Sequence, residues 1–154
     1  MKIAIGCDHA GFKLKEKIKA YLLKDGHTLE DYGSYNLKSC DYPEYASRVA
    51  RAVRLKRCRR GILICATGIG MSIAANKVPG IRAGLCHNLK GARSSRQHND
   101  ANVLVLGAVL TRPALAVRIS RIWLKTKFAG GRHARRLKKI TGIENTVVVK
   151  LLEK

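Results

Sequence analysis

Short apolar runs alternate along this chain with longer segments in which apolar positions recur at helical spacing. Residues 2–7 (KIAIGC) form the first run; Asp8, His9, Ala10 and Gly11 break it, and Phe12, Leu14, Ile18, Tyr21 and Leu22 then recur with a helical period as far as Gly26. A second strand is predicted over 27–32 and a loop over 33–41. From Tyr42 and Pro43 a helix is expected, with the proline in its first turn and Tyr45, Val49, Ala52 and Val53 turned inward. The alternation then continues with a strand over 60–65 and a helix over 70–77, a strand over 81–86 and a helix over 89–97, and a strand over 103–106 followed by a helix over 113–128. Leu115, Ile119, Ile122 and Trp123 face inward on the last of these. Residues 144–154 read as a short helix or strand suited to packing on a partner subunit.

Apolar strands separated by helices predict a parallel sheet covered on both faces, a doubly wound α/β fold in a single domain over residues 1–154. In such sheets ligands bind beyond the carboxyl ends of the strands, so Asp8 with His9, the 65–70 stretch and the loop after Cys86 are expected along one rim.

Charge changes the picture next. Residues 45–143 hold 22 lysines and arginines against one acid, Asp100, and the whole net charge of +21 lies there. A field of that sign steers any anion, from a sugar phosphate to nucleic acid, and allows nonspecific polyanion binding. Arg48, Arg51, Arg54 and Arg57 recur every third residue and read as a solvated helix face. Five cysteines without a C-x-x-C pair, and no apolar leader after the first residues, fit reduced thiols in a cytoplasmic protein. No apolar run approaches the length a membrane helix needs.

The most informative stretch is 61–77, GILICATGIGMSIAANK, where a strand-like run ends at Cys65 and gives way to a glycine-rich turn and a small-residue helix. Glycines there let backbone N–H groups approach an anion. The Gly-Lys-Ser/Thr triplet of a nucleotide phosphate loop is missing. A buried core cysteine ending a strand is the ordinary alternative for Cys65.

Several blocks appear in one order: Asp8-His9-Ala10-Gly11, Asp41-Tyr42-Pro43, Cys65-x-Thr67-Gly68-x-Gly70 followed by Ala74-Ala75-Asn76-Lys77, then SRQHND over 95–100 and GGRH over 130–133. Together they resemble the type B ribose-5-phosphate isomerases, in the family that includes galactose-6-phosphate isomerase subunits. The resemblance implies a Rossmann-like fold, no cofactor and no metal. It also implies a dimer or dimer of dimers whose active sites lie between subunits, and a phosphorylated sugar as substrate.

By the same resemblance, Cys65 is the base that moves a proton between C2 and C1 through an enediolate, with Gly68 and Gly70 N–H groups around the oxyanion. A helix start and basic surroundings favour the thiolate such a base requires. Thr67 and His98 match residues that shuttle hydroxyl protons, His98 opening the sugar ring, and Asn99 orients the substrate. Arg132 and Arg136, spaced i,i+4, match a phosphate clamp that His9 joins; Asp8 binds sugar hydroxyls and Tyr42 lines the pocket.

Three departures stand out. Met71 lies where one branch of the family places a glutamate base, so this chain belongs to the cysteine branch. Ala66 follows the cysteine where glycine is common. Val109 takes a position where many relatives carry a further phosphate-binding arginine. That last change keeps a six-carbon sugar phosphate, such as allose or galactose 6-phosphate, as an alternative substrate, and the charge keeps nucleic-acid binding as an alternative of another class.

Overall fold

In the computed structural model, which describes residues 1–152, the order is β1 (Lys2–Cys7), α1 (Phe12–Lys24), β2 (Thr28–Asp31), α2 (Tyr42–Arg54), β3 (Arg60–Cys65), α3 (Ile69–Ala75), β4 (Ala83–Leu85), α4 (Leu89–Gln97), β5 (Val103–Gly107), α5 (Pro113–Lys125) and α6 (Arg132–Leu152). All five strands are parallel in one sheet, ordered β2-β1-β3-β5-β4. The doubly wound expectation holds.

Alternation along each strand divides the core in two. Ile3, Ile5, Ile62, Ile64, Leu104 and Leu106 pack with Leu14, Ile18 and Leu22 of α1 and with Ala116, Ile119 and Trp123 of α5. On the other face Ala4, Leu63, Cys65, Val103 and Val105 meet Val49, Ala50 and Val53 of α2 and Met71 and Ala75 of α3. Cys65 therefore sits at the last inward position of the central strand on the α2/α3 side. Burial of these side chains, each contributing roughly 1.5–3 kcal/mol when fully removed from water, is the main stabilising term.

Predicted and observed bounds differ most at three places. β4 covers only Ala83–Leu85, because the Arg82 N–H is taken by the Asn102 side chain at 2.8 Å instead of a strand neighbour. α5 stops at Lys125, where the Thr126 hydroxyl turns back to the Ile122 carbonyl at 2.6 Å. The stretch from 144 onward is not a separate element. α6 runs unbroken from Arg132 to Leu152 through Gly142, a residue a helix interior tolerates at modest cost, and residues 153–154 lie outside the described residues. Glu144 ties α6 back to the domain by accepting the Gly80 N–H through both oxygens, at 3.2 and 3.1 Å.

One buried ion pair fixes the loop over 33–41. Lys15, with no exposed surface, donates from Nζ to both Asp31 oxygens at 2.8 and 2.9 Å and to the Ser34 carbonyl at 2.8 Å. Lys19 adds a contact to Asp31 at 2.6 Å and the Gly33 N–H another at 3.0 Å. Burial alone would raise the Asp31 carboxyl, but these donors outweigh it and hold the group below its ordinary value. A lowered folded-state pKa means that the stabilisation is complete above the unfolded carboxyl value, near 4, and is lost as pH falls through the folded one. Asp31→Asn should therefore cost about 3–5 kcal/mol at neutral pH by stranding buried Lys15. It should also flatten the decline of stability below about pH 4. Urea midpoints across that range check both, and a wild-type acid profile in the variant would contradict the assignment.

Candidate active site

At the carboxyl ends of the strands, three loops converge. Asp8, directly after β1, is 6% exposed; its Oδ1 accepts the Gly11 N–H at 2.9 Å and its own N–H reaches the Ile64 carbonyl at 3.2 Å. The turn after β3 is held against β5 by the Ala108 N–H on the Cys65 carbonyl at 2.8 Å and the Val109 N–H on the Ala66 carbonyl at 3.0 Å. That contact requires glycine at 107, where a Cβ would lie 2.5 Å from the Thr67 carbonyl oxygen. Gly68, at φ +83°, turns the chain into α3.

The Gly68 N–H points at Cys65 Sγ, 3.1 Å away. Cys7, Cys58 and Cys86 direct their thiols at acceptors, to the Ser34 carbonyl, Glu30 and the Gly84 carbonyl respectively. Burial pushes Cys7 up to about 12 and, with the Glu30 contact added, Cys58 to about 11; Cys86 is raised by burial as well. Among the described residues Cys65 is the cysteine whose sulfur receives a backbone donor. The Gly68 donor is thereby aimed at sulfur, while Gly70, in the first turn of α3, keeps one of the orphan donors of a helix start. Thr67 Oγ1 accepts the Ile69 N–H at 3.3 Å. Tyr42 covers Gly70, where a Cβ would come within 2.6 Å of the phenol ring.

His9 lies at the same end. Its Nδ1 accepts the Cys40 N–H at 3.3 Å, which assigns the proton of the neutral ring to Nε2 and leaves that donor free. Asp8, His9, Tyr42, Cys65, Thr67, Gly68 and Gly70 thus form one group.

His98, Asn99, Arg132 and Arg136 form another, at the opposite end of the sheet. His98 caps the carboxyl end of α4, and the Asn99 carbonyl accepts Arg82 Nε at 3.0 Å just before β4. Four strand steps separate Val103 from Gly107, the partner of Cys65, so the two groups are at least about 13 Å apart on one chain. The expectation that His9 joins Arg132 and Arg136 is met only if a second copy brings its own arginines.

The sequence reading passed over His133. Its ring stacks on His98, with centroids 4.4 Å apart and planes 13° from parallel. Partial desolvation, then the charges of His98, Arg132 and Arg136, hold His133 below the usual imidazole value. The GGRH block carried this signal, and only its arginine was used. Among the described residues no group of three or more His, Cys, Asp or Glu side chains is arranged to hold a metal ion, and no helix is long and apolar enough to cross a membrane.

The chain is 50% identical to ribose-5-phosphate isomerase B of Escherichia coli (strain K12) over 143 residues, 93% of this chain and 96% of that one. The structure of ribose-5-phosphate isomerase B from Clostridium thermocellum superposes with a TM-score of 0.95 at 52% identity, covering 96% of this chain and 99% of that one. The Mycoplasma genitalium ribose-5-phosphate isomerase B with bound ribulose-5-phosphate gives 0.90 at 39% identity, over 94% and 96% of the two chains. Residues 3–140 match the Ribose/Galactose Isomerase family model, and the chain belongs to that family.

Proposed function

We propose that this protein interconverts ribose 5-phosphate and ribulose 5-phosphate, with Cys65 as the base and a homodimer as the working unit. The observation that carries the reading is the Cys65 sulfur at the carboxyl end of the central strand, receiving the Gly68 N–H in a glycine-lined turn. Removal of a proton from carbon uses a cysteine as its thiolate.

In the forward direction the Cys65 thiolate takes the proton from C2 of the open-chain aldose. The electron pair moves into the C1–C2 bond, and the C1 carbonyl oxygen gains negative charge. Gly70 N–H stabilises that oxygen, and Thr67 moves the hydroxyl proton between O2 and O1. Return of the proton from the Cys65 thiol to C1 gives the ketose and restores the thiolate, so no net proton or electron is consumed. Asp8, with Oδ1 engaged by Gly11, offers its other oxygen to sugar hydroxyls, and Tyr42 forms a wall of the pocket.

The remaining roles come from the second copy. His98 and Asn99 of one chain meet the Cys65 turn of the other, His98 opening the sugar ring. Arg132 and Arg136, one helical turn apart on α6, grip the phosphate together with His9 Nε2–H of the facing chain. Support for this pairing is the exposure of Ile69 and Ile73 on α3 beside the cysteine turn, and of Ile140 and Ile143 on α6 beyond the arginines. Each half-site is thus flanked by apolar surface suited to a second copy. The unpaired thiols fit a cytoplasmic setting.

Replacing Cys65 by Ala should lower kcat by about 10²–10⁴-fold and leave the melting temperature within a few degrees of wild type. Retained turnover would remove the thiol from the reaction. A mixing experiment tests the shared site: Cys65→Ala and His98→Asn proteins, each inactive, are dissociated together and reassociated. Hybrid dimers then carry one intact site, so roughly a quarter of wild-type activity per chain returns. If no activity returns although hybrids are isolated, both residues serve a site within one chain.

A further inference from the structure

The amino ends of the strands, away from the same chain's cysteine turn, carry a dense cluster of cations. A cleft of about 510 Å³ there is bordered by Lys2, Lys56, Arg57, Arg59, Arg60 and Arg82, with Asp100 as its acid. A second cleft of about 450 Å³ shares Arg59, Arg60 and Asp100 and adds Arg96, Lys125 and Lys127. Asp100 is already engaged, by Arg96 at 2.6 Å and Arg82 at 3.0 Å. Glu30, nearby, is held by Lys2 at 2.6 Å. Among the described residues Lys56, Arg57, Arg59, Arg60, Lys125 and Lys127 have no carboxylate partner.

Arg60 is the most exposed to this imbalance. It is partly buried, and its guanidinium donates to the Arg59 carbonyl at 2.9 Å and to no carboxylate. Burial, then the charge of Arg96 and further those of Arg59 and Arg82, push its pKa below the ordinary guanidinium value, with Asp100 opposing. A partly desolvated cation among cations is costly, and among the described residues the one acid lining these clefts, Asp100, is already engaged. An anion from outside would relieve it.

The shape favours a chain of phosphates over a compact ion. The two clefts adjoin through Arg59 and Arg60, and the exposed α2 arginines, Arg51 and Arg54, continue the track, Arg54 lying against Gly80. The second cleft also has an apolar wall, the partly exposed Leu124 and Phe128. A bare phosphate chain leaves that wall uncovered, whereas bases flanking a sugar–phosphate backbone cover it. We propose that this end of the molecule, beside the half-site of His98 and Asn99, binds single-stranded nucleic acid through its backbone, at a surface separate from the same chain's Cys65 turn.

The probe is a fluorescent, unstructured RNA of about 20 nucleotides, titrated by anisotropy at about 50 and about 150 mM salt with wild type and two variants of equal charge change. Arg57→Glu/Arg59→Glu reverses the clefts, and Arg135→Glu/Lys138→Glu reverses α6 outside them; unchanged thermal melts confirm that both fold. The cleft variant should bind about tenfold or more weakly at the higher salt, and the α6 variant less than about threefold. Equal losses would reduce the effect to net charge and overturn the proposal, as would no wild-type binding at the higher salt. Inorganic polyphosphate displacing the RNA at equal phosphate concentration would also overturn it, because the apolar wall would then contribute nothing.

Discussion

The common direction of the five strands is the constraint on which the rest depends. In a parallel sheet every crossover leaves from the carboxyl ends and returns to the amino ends. Residues that begin helices or follow strands therefore collect at one end, and residues that close helices collect at the other. Asp8, His9, Tyr42 and the 65–70 turn are of the first kind; His98 and Asn99, which close α4, are of the second. Arg132 and Arg136 follow α5 back to the same end as His98, against which His133 stacks. Side-chain choice cannot undo this division within one chain. Under the proposed function a base at one end and a phosphate grip at the other draw on two chains, and the isologous symmetry of a dimer would supply both sites at once.

Close backbone approach shapes the Cys65 turn. Gly11 and Gly107 stand where a Cβ would lie 2.5 Å from the Ile64 and Thr67 carbonyl oxygens respectively, so the loops following β1 and β5 press on the central strand and its turn. This leaves Cys65 only 5% exposed. Burial by itself works against a thiolate, as Cys7 demonstrates at about 12. The two sulfurs differ in their partners. Gly68 at φ +83° swings its N–H onto Cys65 Sγ, whereas the Cys7 thiol donates to the Ser34 carbonyl. Two cysteines end neighbouring parallel strands in similar burial, and a single positive-φ glycine separates their hydrogen bonding.

Much of the fold was legible because the signals were local. Alternating apolar runs and helical periods located all five strands and the helices up to α5, and Pro43 and Pro113 marked two helix starts that the structure places at the first turn. The short β4 was overestimated because Ile81 is buried without being paired in the sheet, and apolar character does not reveal which N–H groups a side chain such as Asn102 will take. The stretch from 144 reads as a short element of its own, whereas the helix that starts at Arg132 runs on through it. Buried Lys15 could not be anticipated at all: a lysine in a helix rich in lysines looks solvated until the fold brings Asp31 under it. For the site, motif order singled out the candidate residues, but their division between the two ends of the sheet follows from topology, which no local pattern encodes.

The same contrast explains how a chain with a +21 excess remains folded. Buried cations in this molecule are paired: Lys15 with Asp31, and Arg96 with Asp100 and with the Ala101 carbonyl at 2.7 Å. Most of the others are solvent-facing, where like charges separated by more than a Debye length, about 8 Å at physiological salt, cost little. The rule fails at Arg60, which is partly buried without a carboxylate, and it fails in the region where neighbouring cations are densest. Random basic enrichment would spread such a defect over exposed positions that tolerate it. Its concentration around one partly desolvated guanidinium, away from the cysteine turn, is an electrostatic vacancy with a defined location. The same field extends to Arg132 and Arg136, where under the proposed function it would also draw phosphorylated sugars.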